Sequence, residues 1–274
     1  MPTVIELRLA PGPSTDRDLS HASSFRPTTR QLHGLACTLF EAAYRASDTD
    51  HSAQEKPFSV WPLHAEPDGW LLRAAWLRHG FPRPMLAALS QVRLGPVLCA
   101  VTDLAFREAT HDELADVPLI DGIRLELLSP TYFSQNGASS TELDPRLIAG
   151  SWRRRWNASL PRGSKLGMDD ELWRDTHLAL HVTGSGLRTE VRDTGYRSSA
   201  GYRQQAGLVG TATLRVETGA PTAVRQAFGA LARFAEYCGT GAQVTHGFGA
   251  TKVTPLQSSW SSSMGLTAGN PRHS

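Results

Sequence analysis

The sequence predicts an α+β fold of two tandem ferredoxin-like units, each with the element order βαββαβ and an antiparallel sheet. Two observations predict it. The same order of elements occurs twice along the 274 residues, and the apolar positions alternate between a period of two and helical spacing as that order requires. We place the first unit at residues 1–118, the second at 119–255, and a polar tail, expected to be disordered, at 256–274.

The first unit opens with a strand over 3–9, where Ile5, Leu7 and Leu9 alternate with polar residues. A helix over 29–46 follows, because Leu32, Leu35, Leu39 and Phe40 recur at helical spacing. The rest of this unit is predicted as two strands of a hairpin turning at Pro-Asp-Gly, a short helix and a strand, over 57–63, 69–77, 82–91 and 96–106.

The second unit begins with an alternating strand at 122–128 and a polar, partly helical region at 141–175. Strands are predicted at 177–193 and 206–218, separated by a loop containing Gly, Ser and Arg. His177 and His181 would share one face of the first of these strands, exposed to solvent or to a bound ligand. A helix at 221–237 and a strand at 247–254 complete the unit.

Composition excludes several classes of protein. The chain has no apolar run of about eighteen residues that would span a bilayer, and its first residues lack the pattern of a secretory signal. We therefore expect a cytoplasmic protein without a membrane partner. The three cysteines are far apart and form no CxxC pair, which argues against a disulfide framework and a thiolate zinc site. We also expect no metal site and no cofactor.

The positive charge is concentrated in the second half of the chain. Residues 1–150 carry 13 Lys and Arg against 18 Asp and Glu, and residues 151–274 carry 15 against 8, so the net charges are −5 and +7. Such an asymmetry favours a surface that binds a polyanion, although a solvated face remains open. The basic side chains expected to contact such a polyanion are Arg153, Arg154, Arg155, Lys165, Arg197 and Arg203. Trp152 and Trp156, four residues apart, are expected in the core.

A glycine-rich segment connects the last predicted helix to the last strand. Gly239, Gly241, Gly247 and Gly249 form a G-x-G-x5-G-x-G pattern. Its order excludes a dinucleotide fingerprint, whose glycines follow a strand and open a helix. Closely spaced glycines let a phosphate approach backbone N–H groups, with His246 and Lys252 as further donors. The alternative is a helix C-cap followed by a tight turn.

With this glycine segment, three further stretches resemble, in the same order, the CRISPR-associated endoribonucleases of the RAMP superfamily that process precursor CRISPR RNA. They are HSAQEKPFSVWPL from His51, IRLELLSPTYF from Ile123 and AGLVGTATLRV from Ala206. The resemblance covers about residues 3–254 and implies RAMP-type ferredoxin-like domains. It also implies metal-independent RNA cleavage, in which a ribose 2′-OH attacks the adjacent phosphate and leaves a 2′,3′-cyclic phosphate and a 5′-OH.

The resemblance implies a catalytic histidine at His51, in the polar stretch after the first helix. An imidazole there suits either acid or base catalysis, Lys56 would stabilise the phosphorane, and His33 on the first helix is the second choice for acid–base work. Some relatives are expected to carry a tyrosine on this helix, where Cys37 stands here.

The expected partner is the repeat of precursor CRISPR RNA. The sequence leaves open whether the chain also binds other CRISPR-associated effector subunits or forms a homodimer. The alternative function is that of a non-catalytic RAMP subunit that binds guide RNA within an effector complex.

Overall fold

The computed structural model of the protein describes residues 1–12, 25–46, 56–81, 83–198 and 201–256. The first half forms an antiparallel sheet in the order β2-β4-β1-β6-β5, with β3 paired to β4. Its elements are β1 (Thr3–Pro11), α1 (Thr29–Ala46), β2 (Phe58–Val60), β3 (His64–Glu66), β4 (Gly69–Trp76), α2 (Arg83–Ala87), β5 (Gln91–Leu94) and β6 (Val97–Glu108).

The second half forms a separate antiparallel sheet in the order β10-β11-β7-β12. A small hairpin of β8 and β9 lies beside it. The elements are α3 (His111–Ala115), β7 (Gly122–Thr131), β8 (Phe133–Gln135), β9 (Ala138–Ser140), α4 (Pro145–Ser159), α5 (Asp170–Leu178), β10 (Leu180–Ser198), β11 (Gly201–Val216), α6 (Thr222–Cys238), a 3₁₀ turn (Val244–His246) and β12 (Thr251–Leu256).

Both halves show the predicted arrangement, in which the first strand lies centrally between the third and fourth strands of the repeating pattern. In the first half Ile5, Leu7 and Leu9 of β1 are buried in one core with Leu32 and Phe40 of α1. This burial explains the helix observed at 29–46, where the sequence predicts it. The α+β class with two βαββαβ units is therefore confirmed.

The two halves share packing surfaces. Val4, Ala75 and Leu77 of the first half are buried in the same cluster as Phe228 and Leu231 of α6. The long β10–β11 hairpin also reaches α1, where the Thr29 hydroxyl donates to the Thr194 carbonyl at 2.7 Å. The domain boundary at residues 118/119 falls in the connection between α3 and β7 and stays a prediction.

Several local predictions were wrong. His177 lies in the last turn of α5 and not on a strand, because Asp169 caps that helix and the His177 ring donates to the Trp173 carbonyl at 2.9 Å. The loop expected between the two long strands is mostly strand, since pairing of β10 with β11 continues to Ser198 and Gly201. The last strand starts at Thr251, later than predicted, because the glycine segment continues to Gly249.

Within the described ranges, no helix is long and apolar enough to cross a membrane. The tail at 256–274 lies outside the described residues except for Leu256, which ends β12.

Candidate functional site

Two histidines from opposite ends of the chain stack where the two halves meet. His33 lies on α1 and His246 ends the 3₁₀ turn of the glycine segment. Their ring centroids are 3.9 Å apart and the rings are tilted by only 3°. The described structure thus brings the predicted catalytic histidine of the first helix against the predicted RNA-binding histidine of the C-terminal segment.

The orientation of the His33 ring is set by both of its nitrogens. Nδ1 lies 2.9 Å from the Thr245 carbonyl oxygen, which can only accept, so Nδ1 carries a proton. Nε2 lies 3.5 Å from the Cys37 sulfur, one helical turn along α1. Burial raises the pKa of the Cys37 thiol, so Cys37 is an S–H donor to Nε2 at neutral pH. His33 is partly buried, and the nitrogen through which it can exchange a proton with a ligand is Nε2.

His246 is held in the neutral form. Burial, and then the neighbouring His33, lower its pKa to about 4, and its Nδ1 forms a 3.0 Å hydrogen bond with the Thr245 hydroxyl. At neutral pH it therefore carries no charge that would attract a phosphate. This leaves it a planar, neutral partner for His33, and its expected role as a donor to RNA stays a prediction.

Lys56 lies at the same junction. Its positive charge opposes the effect of burial on the Cys37 thiol by lowering the pKa of that group. His51, the catalytic histidine implied by the resemblance, lies outside the described residues. The described part of the chain therefore contributes His33, His246, Cys37 and Lys56 to the candidate site.

The glycine segment is packed against the protein itself. Thr240 N donates to Gly249 O at 2.8 Å, Gly249 N donates to Pro130 O at 3.1 Å, and Gly241 N donates to the Ser151 hydroxyl at 3.1 Å. A Cβ at Gly249 would overlap the Thr240 carbonyl, and φ there is +67°. The expectation that these N–H groups face a phosphate was wrong for Gly241 and Gly249, because neighbouring strands and α4 already use them.

The other two glycines of the pattern are also buried at positive φ. Gly239 ends α6 with a φ of +69°, and its N–H donates to Ala235 O at 2.8 Å, as a C-cap does. Gly247 lies against Leu32 of α1, and its carbonyl accepts from Arg192 of β10 at 3.2 Å. The cap-and-turn alternative describes these positions better than the phosphate-facing one.

The arginine triplet of α4 divides according to the helical period. Arg155 is 6% exposed and donates to Gly241 O at 2.6 Å. Its expected contact with RNA was therefore wrong, because the guanidinium is buried and hydrogen-bonded to the glycine segment. Arg153 donates to Met168 O at 3.1 Å and to Asp170 at 2.6 Å, while Arg154 is exposed. Trp152 and Trp156 are buried, as predicted.

The remaining predicted RNA contacts lie in the second half of the chain. Lys165, Arg203 and Lys252 are exposed, and Arg197 lies near the tip of the β10–β11 hairpin. Arg192, Thr245 and the role of Cys37 were not predicted from the sequence. Only the spacing of Cys37, four residues after His33 on one helix, gave a signal for any of them.

Comparisons with known proteins agree with this architecture. The family model described as CRISPR-associated endoribonuclease Cas6 matches residues 125–251. Two solved Cas6 product complexes are 22% and 25% identical to this chain, each with a TM-score of 0.72, and cover 93% of it and 100% of their own chains. A Thermus thermophilus Cas6 is 27% identical, with a TM-score of 0.63, and covers 93% of this chain and 98% of its own. No curated protein matches in sequence.

Proposed function

We propose, from its similarity to the Cas6 CRISPR-associated endoribonucleases, that this chain is a metal-independent endoribonuclease that cuts CRISPR repeat RNA to release guide RNAs. A ribose 2′-oxygen forms a bond to the adjacent phosphorus while the bond from phosphorus to the 5′-oxygen breaks. A base takes the proton from the 2′-OH and an acid protonates the departing 5′-oxygen. The products are a 2′,3′-cyclic phosphate and a 5′-OH.

The observation that carries the proposal is the oriented His33 ring. Because the Thr245 carbonyl holds Nδ1–H, any proton that His33 exchanges with RNA passes through Nε2. Stacking on neutral His246 fixes the plane of the ring. His33 therefore serves as one of the two proton-transfer groups, and His51 serves as the other.

Lys56 supplies positive charge beside the reacting phosphate. Its ammonium lies close enough to Cys37, one helical turn from His33, to lower the pKa of that thiol. A point charge placed there stabilises the phosphorane more than the ground-state diester, because negative charge accumulates in the transition state. With two imidazoles and one ammonium, the mechanism has an acid, a base and an electrostatic stabiliser, and it requires no metal ion.

The direct test incubates purified protein with repeat RNA in EDTA and compares the wild type with His51→Ala. We expect one cut in wild type and a loss of about 10²- to 10⁴-fold in His51→Ala. The 5′ fragment should resist phosphatase until its cyclic phosphate is opened. His177→Ala, a substitution on α5, is the matched control and should cut like wild type. Failure to cut in EDTA, or equal cutting by His51→Ala, would contradict the proposal.

One observation favours a second candidate, a non-catalytic RAMP subunit that binds guide RNA within an effector complex. Cys37 occupies the helix position where the resemblance leads us to expect a tyrosine, and its thiol is a weaker acid than usual because burial raises its pKa. A subunit of that kind binds repeat RNA with a steep dependence on salt and leaves it uncut. The same EDTA assay, run with a filter-binding measurement, separates the two candidates.

A further inference from the structure

A cavity of about 270 Å³ lies beside the histidine stack. Its walls come from the segment that leads into α1, from β3, from Trp70 at the start of β4 and from Arg192 on β10. Arg192 also donates to the Gly247 carbonyl, and Gly247 directly follows His246. The cavity is therefore adjacent to the proposed reaction centre, although none of the residues assigned to catalysis lines it.

One wall of the cavity contains a buried donor that lacks an acceptor. The Trp70 side chain is 2% exposed, and its indole Nε1–H has no hydrogen-bond partner in the part of the chain that the structure describes. Phe25 packs edge-on against the same indole, with ring centroids 5.8 Å apart. Buried donors are nearly always paired in native proteins, so this unpaired N–H, enclosed directly behind the cavity wall, points to an acceptor that a ligand supplies when it displaces the Phe25 ring.

The cavity is also cationic. Arg26 and Arg192 both line it, and Arg26 lies close enough that its charge helps to lower the pKa of the Arg192 guanidinium, after burial as the main cause. Glu190 acts in the opposite direction, but its carboxylate also lies 3.7 Å from Arg188. Two guanidiniums placed around one cavity repel each other, and an anion between them relieves that repulsion.

We propose that this cavity binds one unpaired nucleotide of the RNA, next to the phosphodiester that is cut. Arg26 and Arg192 would hold its phosphate, Trp70 Nε1 would donate to an acceptor on its base, and Phe25 would contact the base plane. Flipping an unstacked base into such a cavity is a common way for proteins to read single-stranded RNA. The inference rests on the proposed RNA function, and it adds a specificity determinant to it.

The first experiment needs no RNA cleavage. In the full-length protein labelled with ¹⁵N, the indole resonance of Trp70 is identified by its loss in Trp70→Phe. We expect at least one of the four ribonucleoside 5′-monophosphates to shift this resonance at millimolar concentration, and Arg26→Gln to weaken the titration several-fold. Arg30→Gln, which removes the same charge four residues further along, should leave the titration unchanged. If none of the four nucleotides shifts the Trp70 resonance, the proposal is overturned.

The second experiment uses repeat RNA with a 2′-deoxy substitution at the cleavage position, so that binding is measured without turnover. Single abasic sites are placed in turn on both sides of that position. We expect one abasic site to weaken wild-type binding about tenfold and to have no further effect on Trp70→Phe. Equal sensitivity of the two proteins at every position would overturn the proposal. If unmodified RNA stays uncut while this pattern holds, the nuclease function fails and the nucleotide site stands.

Discussion

Two pairs of histidines lie at the junction between the halves of this protein, and they differ in the distance between their rings and in the angle between the ring planes. His33 and His246 stack at 3.9 Å with nearly parallel rings. His79 and His111 lie 6.2 Å apart with their rings tilted by 47°. The members of each pair come from parts of the sequence that would not be grouped by any local motif.

His111, the buried member of the second pair, shows what a structural histidine looks like in this fold. His111 is 4% exposed, contacts the rings of Trp156 and Phe234, and donates from Nε2 to the Ser159 hydroxyl at 2.8 Å. Burial is the main reason that its pKa falls to about 4. His33 differs because it is only partly buried and has one nitrogen fixed by a backbone carbonyl. Partial exposure and a tautomer fixed by a backbone carbonyl distinguish His33, the proton-transfer candidate, from the buried packing residue His111.

The largest expected effect tests this distinction directly. His33→Ala removes the oriented Nε2, so we expect single-turnover cleavage of repeat RNA to slow by about 10²- to 10⁴-fold. His79→Ala is the counterpart in the other pair and should change the rate less than twofold. Circular dichroism on both variants checks that they fold. A similar loss in both variants would show that the two pairs do not differ in function.

A smaller effect concerns stability in acid. The unfolded chain protonates His111 near its ordinary pKa of 6.5, whereas the folded protein resists protonation until about pH 4. The unfolded state therefore binds more protons in that window, and stability falls as the pH decreases through it, by at most about 1.4 kcal/mol per pH unit.

His111→Phe should flatten this dependence, since phenylalanine suits the aromatic surroundings and has no proton to bind. Urea unfolding at a series of pH values between 7 and 4.5 measures the slope for both proteins. His246 changes the stability over the same pH window in the wild type and in His111→Phe, so its contribution cancels when the two slopes are compared. An unchanged slope would mean that His111 is protonated in the folded state.

The smallest effect tests the role of the stack. His246 is a positioning residue for His33, so His246→Ala should lower kcat about two- to twelvefold, the equivalent of about 0.5–1.5 kcal/mol for an aromatic pair. His246→Phe restores a planar neutral ring and should recover most of kcat, with KM unchanged. If the phenylalanine variant is as slow as the alanine variant, the imidazole itself takes part in the reaction.

The candidate site could be predicted only in part. His33 was identified as a candidate because it lies on an amphipathic helix, one turn before Cys37, and both features can be seen in the sequence. Its contact with His246 spans more than two hundred residues and depends on how the glycine segment folds against α1. Arg155 was predicted to contact RNA because a run of arginines indicates a polyanion, but the helical period turns that one residue inward.

The sequence by itself determined the fold class, the extent of α1 and the βαββαβ order of the main elements along the chain. Burial of one apolar face gives each element a short period that can be recognised locally. The roles of the four glycines, the neutral state of His246 and the cavity beside Trp70 were decided only by the tertiary structure. The physical reason is that desolvation, close backbone approach and hydrogen-bond partners depend on groups that packing brings together from both halves of the chain.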